Sequence, residues 1–284
     1  MVADESSTSD PALELLELAD GVASRAGAEA RRLMSELTGG VGVRDNGALG
    51  QRPKSSATDP VTIVDTAVEE YIRSELATLR PGDAILGEEQ GHTGAGAGVT
   101  WIVDPVDGTV NMMYGHPHFA VSIAAAVGDR VLAGVVHNIA DEQTYSAALG
   151  RGASVRAADG NRRELRVSGC GDTGHALVGT GFAYDARVRA EQGAVIAHLL
   201  PRVRDIRRLG AAALDLCYLA AGRLDAYYER GLQPWDYAAG ALVAREAGAW
   251  VETSADDDVP TIAAAPGVAE AFRQLLVEAG ALSS

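Results

Sequence analysis

Trp101-Ile102-Val103-Asp104-Pro105-Val106-Asp107-Gly108-Thr109 is the stretch that decides how this chain folds and what it handles. An apolar run with strand character ends in two aspartates three residues apart, then a glycine and a hydroxyl side chain. Pro105 stops the strand continuing, which leaves both carboxylates free to converge at its carboxyl end. Paired hard oxygen ligands of this kind suit Mg²⁺, which prefers carboxylates, water and substrate phosphate to an all-protein cage. Gly108 and Thr109 then open a new segment whose free backbone N–H groups can hold an anion. A cation site and an anion cradle on one turn point to phosphate chemistry.

The 284 residues around that turn can bury a substantial core, as one large domain or as two lobes sharing an interface. A composition of 47% hydrophobic and 22% charged residues is that of an ordinary globular protein. The net charge of −15 argues against a nucleic-acid backbone as the main ligand. A phosphate substrate is compatible with it, because bound divalent cations invert the local field. No apolar run approaches the ~20 residues of a membrane span, so no membrane role is expected. Residues 1–11 are polar and acidic, without the basic and apolar regions of a signal peptide, and read as a disordered tail. Cys170 and Cys217 are unclustered, which gives neither a disulfide framework nor a zinc site and suits reduced thiols in a cytoplasmic protein.

Apolar positions from Leu15 to Leu37 follow a helical period that Gly39-Gly40 ends. A loop is expected over 41–57, then a second amphipathic helix from roughly Asp65 to 79, a short strand at 84–86, and a mobile glycine-rich loop at 92–98. After the Asp104–Thr109 turn, strands at 119–127, 131–137, 143–148 and 163–167, separated by turn signals such as Gly128-Asp129 and Asp159-Gly160, read as an antiparallel meander. From about Leu177 the pattern changes to helices at 187–200, 211–221, 236–247 and 268–278, with a strand at 224–228. The expectation is an α/β protein: an α+β lobe over 12–175 carrying the metal loop and antiparallel sheet, then an α/β lobe over 176–284.

Each further carboxylate has an ordinary explanation by itself. Asp236, in Pro234-Trp235-Asp236-Tyr237, suits a helix cap. Asp104 and Asp107 suit a turn, and Glu88-Glu89 suit a solvated loop. His116 and His118 have a His-x-His spacing that can ligate metals, although pocket-edge or surface histidines fit it better. Arg202, Arg204, Arg207 and Arg208 on so acidic a chain suit internal pairing or subunit contacts rather than a nucleic-acid groove.

In combination the motifs resemble one family. Gly87-Glu88-Glu89, Trp101 to Asn111, Gly115-His116-Pro117-His118-Phe119 to Ala124, and Trp235-Asp236-Tyr237-Ala238-Ala239-Gly240 with Glu246-Ala247-Gly248 are similar, in order and spacing, to the lithium-sensitive, Mg²⁺-dependent inositol monophosphatases. The resemblance covers the chain beyond its first dozen residues. It implies a layered αβαβα sandwich of the inositol monophosphatase and fructose-bisphosphatase type, a homodimer, and hydrolysis of a small phosphate monoester, myo-inositol 1-phosphate foremost. Histidinol phosphate, fructose 1,6-bisphosphate and 3′-phosphoadenosine nucleotides are the alternative substrates on the same scaffold. A regulatory interaction protein is the alternative of another class.

The resemblance also assigns roles. Glu88, Asp104 and the Val106 carbonyl would bind a first Mg²⁺; Asp104, Asp107 and Asp236 a second; Glu88 and water a third. Thr109, partnered by Asp65, would orient or help deprotonate the attacking water, with Glu88 beside them in the catalytic set. Substrate would meet Asp107, Gly108, Thr109, Ala212, Glu229 and Asp236. Ala211 stands where many relatives carry Thr or Ser, Met112 replaces a common phenylalanine, and Lys54 resembles a mobile-loop lysine near the third metal.

Overall fold

Asp10 accepts the backbone N–H of Ala12 at 3.0 Å and so opens helix α1 (Pro11–Thr38), whose apolar stripe from Leu15 to Ala30 is buried. The computed structural model describes residues 10–38, 49–54, 60–94, 98–254, 256 and 258–282. Most of the expected tail at 1–11 and loop at 41–57 therefore lies outside the described residues; Asp10 and Pro11, at the tail's end, belong to the helix start.

The chain continues through a two-stranded pairing of β1 (Arg52–Pro53) with β2 (Pro60–Val61) into helix α2 (Ile63–Leu79). Thr62 and Asp65 form a capping box there, so the helix starts two residues before the expected Asp65. Then follow β3 (Ala84–Gly87), β4 (Gly91–Thr93), β5 (Val99–Asp107), helix α3 (Thr109–Tyr114), β6 (Ala120–Val127), β7 (Arg130–Asn138), β8 (Thr144–Ala148), β9 (Ala153–Arg156) and β10 (Arg162–Glu164). These strands make one sheet in the order β10-β9-β8-β7-β6-β5-β3-β4, antiparallel throughout except where β3 runs parallel to β5. The meander is as expected, but part of the expected mobile loop is strand: Gly91–Thr93 pairs with Ile85–Gly87.

The remaining elements are β11 (Leu177–Thr180), α4 (Ala186–Leu199), β12 (Asp205–Arg207), α5 (Ala212–Ala220), β13 (Ala226–Glu229), α6 (Pro234–Glu246), β14 (Trp250–Glu252), β15 (Thr261–Ala264) and α7 (Ala269–Glu278). Their five strands form a second sheet, β12-β11-β13-β15-β14, parallel at β12-β11-β13 and antiparallel beyond.

Three apolar clusters stack the layers. Helices α1 and α2 pack on one face of the eight-stranded sheet through residues such as Val22, Ile72, Trp101 and Ile123. Helices α5 and α6 fill the space between the two sheets, with Leu216 and Leu242 meeting Val136 and Tyr145 on one side and Tyr227 and Ala263 on the other. Helices α4 and α7 cover the outer face of the five-stranded sheet through Leu199 and Phe272. The result is the αβαβα sandwich. The middle layer approaches closely because of glycine: a Cβ on Gly134 would lie 2.9 Å from the backbone of Ala239 in α6, and one on Gly240 would lie 2.9 Å from the Ala213 carbonyl in α5. No helix among the described residues is long and apolar enough to cross a membrane.

Candidate active site

Pro105 does not end β5. The strand runs to Asp107, and its pairing with β6 shifts register between Asp104 and Asp107. A proline lacking its N–H is accommodated at such an irregularity, and the bulge re-aims the side chains around it. Asp104 is turned inward at 1% exposure, with Oδ1 accepting the Val106 N–H at 2.9 Å. Asp107 is aimed at α5, where its Oδ2 accepts the Ala213 N–H at 2.7 Å. That bond serves a helix start whose N-cap residue, Ala211, offers no side-chain oxygen. Gly108 then takes φ +93°, and a Cβ there would sit 2.8 Å from the His118 carbonyl oxygen. Only glycine turns the chain here, and α3 begins directly after it.

Thr109, at that start, donates from Oγ1 to Asp65 Oδ1 at 2.6 Å and lies 3.0 Å from the Val106 carbonyl oxygen. Asp65 is fully buried, and its other oxygen accepts the Thr62 N–H at 3.0 Å and faces the Thr62 hydroxyl. Burial raises its pKa to about 6, against the lowering effect of the two threonine hydroxyls. One turn along the same helix, Glu69 is also fully buried. Its carboxylate accepts the N–H groups of Glu89 (2.7 Å) and Gln90 (3.0 Å) and pairs with Arg73 (2.8 Å). Glu69 thus holds the turn that carries Glu88, a function sequence reasoning missed. The available signal was the i, i+4 spacing of Asp65 and Glu69, which stacks two acids on one helix face.

Asp236 is not the cap of its helix. Gln233 is the N-cap, Pro234 follows at the first helical position, and Asp236 at the third returns Oδ2 to the Gln233 N–H at 2.7 Å. This geometry faces Asp236 toward Asp104 and Asp107. Burial first, then repulsion from Glu88 and the neighbouring aspartates, pushes the pKa values of Asp104 and Asp236 well above the ordinary carboxylate range. Asp107 is raised by burial first, with Asp215, Glu229 and Glu88 adding to it. Lys54 sits at the edge of this cluster, 2.8 Å from Glu88 and 2.9 Å from Glu89.

A cavity of about 490 Å³ opens over these residues, lined by Lys54, Glu88, Asp107, Gly108, Arg208, Ala212, Glu229 and Asp236 among others. Asp104, Asp65 and Val106 lie buried beside it rather than in its lining, and Thr109 is half-buried. On the wall formed by β13, Glu229 accepts the Tyr227 hydroxyl, and burial raises its pKa to about 7. A side chain at Gly181 would overlap the Glu229 carboxylate, so the glycine after β11 makes room for it.

The donor set suits a hard divalent cation in its chemistry. Carboxylates with little access to water are forced together until their charges disfavour one another, and a bound cation relieves that repulsion. Among the described residues no three His, Cys, Asp or Glu side chains are spaced to close on one ion. The His-x-His pair is split: His116 is exposed, whereas His118 is largely buried with Nε2 3.4 Å from Asp215, so the surface reading fails for His118. Of the arginine cluster, Arg207 pairs with Asp205 at 2.6 Å and Arg208 reaches the cavity. Both cysteines are free thiols.

The profile of the inositol monophosphatase family, a class of phosphatases, matches residues 13–280. Inositol-1-monophosphatase of Mycobacterium bovis is 49% identical over 265 residues, 90% of this chain and 91% of that protein. Nus factor SuhB of Pseudomonas aeruginosa is 44% identical over 204 residues, 70% and 73% of the two chains. Among solved structures, Mycobacterium tuberculosis SuhB superposes with a TM-score of 0.83 at 44% identity, covering 96% of this chain and all of that one. The chain belongs to the inositol monophosphatase family.

Proposed function

We propose that this protein hydrolyses the phosphate monoester of a small polyol, myo-inositol 1-phosphate foremost, with Mg²⁺ as cofactor. The observation that carries the reading is the convergence of Glu88, Asp107 and Asp236 on one cavity, with Asp104 and the Thr109–Asp65 pair directly beside it. Glu88, Asp104, the Val106 carbonyl, Asp107 and Asp236 would hold two to three Mg²⁺ ions, which when bound offset the charge of the phosphate and ease deprotonation of the attacking water. Thr109 Oγ1 has committed its own proton to Asp65, so a lone pair remains to accept a hydrogen bond from that water and orient it. The backbone of Gly108 and Thr109 meets the phosphate oxygens at the start of α3. Across the cavity, Glu229 accepts hydrogen bonds from substrate hydroxyls, and Ala212 shapes the floor beside it.

Release of phosphate from myo-inositol 1-phosphate, dependent on Mg²⁺, abolished by EDTA and inhibited by Li⁺, supports this reading. Asp104→Asn removes one of the carboxylate charges that would hold the metal and lowers turnover by roughly a hundredfold or more; substantial metal-dependent turnover in that variant overturns the assignment. A panel scoring kcat/KM for histidinol phosphate, fructose 1,6-bisphosphate and 3′-phosphoadenosine 5′-phosphate ranks the alternatives. A homodimer is part of the proposal and is read by sedimentation. The Pseudomonas relative's designation as a Nus factor favours a second reading, partner binding beside catalysis. Partner capture from a lysate that survives Asp104→Asn separates the two.

A further inference from the structure

The turn that carries Asp107 and Gly108 is held from two sides. On one side α5 donates the Ala213 N–H to Asp107 Oδ2. On the other, the strap before β6 presses on the turn: the His118 carbonyl oxygen stands against Gly108 and also accepts Asn111 Nδ2 at 2.7 Å, while Asn111 reaches across to the Leu209 carbonyl at 2.8 Å. One buried pair joins the two sides. Asp215, one turn into α5, is 1% exposed, and neither of its oxygens has a hydrogen-bond partner among the described residues; His118 Nε2 faces it at 3.4 Å and is equally without one. The His118 ring is kept in place by an edge contact with Tyr218, centroids 4.9 Å apart. A carboxyl group buried without a hydrogen bond is costly unless the histidine facing it engages it, so the two side chains bind each other or the site is destabilised.

We propose that His118 and Asp215 are a positioning pair that clamps α5 to the strap and thereby fixes Asp107 and the Gly108–Thr109 turn. The inference rests on the phosphatase reading for its kinetic consequences. Neither residue lines the cavity, so the pair acts through the turn and not by touching substrate.

The test uses the full-length protein with Asp215→Ala, Asp215→Asn, His118→Phe and the His118→Phe/Asp215→Ala double variant. His118→Phe keeps a ring against Tyr218 and removes both ring nitrogens, including the Nε2 that faces Asp215; Asp215→Asn keeps an acceptor for an Nε2–H. Readouts are kcat and KM for myo-inositol 1-phosphate, the Mg²⁺ concentration for half-activation, Mg²⁺ binding by calorimetry, and Tm. Asp215→Ala and His118→Phe are each expected to lower kcat and Mg²⁺ affinity about tenfold with KM little changed. The double variant is expected to be no worse than either single, and Asp215→Asn to recover most of the loss. The proposal is overturned if Tm falls while kcat and the Mg²⁺ midpoint hold at wild-type values, or if the two single effects multiply. Should the wild-type protein release no phosphate, the phosphatase reading fails on its own, and the calorimetric Mg²⁺ comparison still decides the pair.

Discussion

At the scale of single residues, the site depends on side chains that act through one another. The Thr109 hydroxyl donates its hydrogen bond to Asp65, which the Thr62 capping box holds in place; on the proposed mechanism this leaves the Thr109 oxygen free to accept from the attacking water. Thr109→Val keeps the volume and removes the hydroxyl; kcat is expected to fall by about 10²-fold, with Tm little changed. Thr109→Ser should restore most of the rate. Equal rates for the Val and Ser variants would remove the hydroxyl from the mechanism. Glu69 makes the same kind of argument one helical turn away. Glu69→Gln places an amide against backbone donors and leaves at least one N–H of the Glu88–Gln90 turn unmatched, at a cost of about 1–3 kcal/mol. The expected signature is a lower Tm together with a weaker Mg²⁺ requirement curve, because the turn that aims Glu88 loosens. An unchanged Mg²⁺ midpoint would confine Glu69 to a purely stabilising role.

At the scale of elements, the close helix–sheet contacts separate positioning from stability. Gly134 on β7 lies against the backbone of Ala239, so Gly134→Ala pushes α6, and Asp236 at its start, away from the eight-stranded sheet. Gly27 on α1 lies against the buried His137 ring on the opposite face of that sheet, where a Cβ would overlap the ring. Overpacking at either position costs about 1–3 kcal/mol, more than the roughly 1 kcal/mol that alanine adds to a helix at position 27. Both variants are expected to lose a few degrees of Tm, but only Gly134→Ala should also weaken Mg²⁺ activation. The elements themselves were largely legible where periodicity was strong: the meander β6–β8, the helix over α1 and the alternation after Leu177 follow from apolar spacing. The strand continuing past Pro105 was not, since a bulge depends on the partner strand β6, which local sequence does not contain. The short strands β9, β12, β14 and β15 were missed for a related reason: three or four residues carry too little periodicity, and their pairing is fixed by the neighbouring chain. At the candidate site, the grouping of Glu88, Asp104, Asp107, Thr109 and Asp236 was legible through motif spacing, whereas Glu69, Gly181 and the buried position of His118 depend on contacts between distant segments.

At the scale of the whole molecule, the arrangement brings acids together at the cost of their own charge, and this sets the pH behaviour of the metal-free protein. Burial raises Glu229 and Glu89 to about 7 and Asp65 and Asp215 to about 6. A carboxyl group raised in the fold keeps its proton where the unfolded chain has already lost it, so the native state binds more protons between the two pKa values. Stability from these groups therefore falls as pH rises from about 4 toward 7, and is fully lost above that. His137 works in the other direction: burial lowers it to about 4, so its contribution rises with pH between about 4 and 6.5 and is constant beyond. Above pH 6.5 the His137 contribution has levelled off, while Glu229 and Glu89 are still losing protons. The metal-free protein is expected to melt at a lower temperature at pH 8 than at pH 6.5. On the proposed reading Mg²⁺ would compete with protons for the same oxygens, so its stabilisation should grow across that interval, reaching about 2.7 kcal/mol at a hundred times its Kd. Calorimetric melts at both pH values, with EDTA and with saturating Mg²⁺, measure this directly. A metal-free Tm that rises from pH 6.5 to 8, or a Mg²⁺ increment that shrinks, would mean the buried acids are not the groups that govern the fold's response to protons and cations.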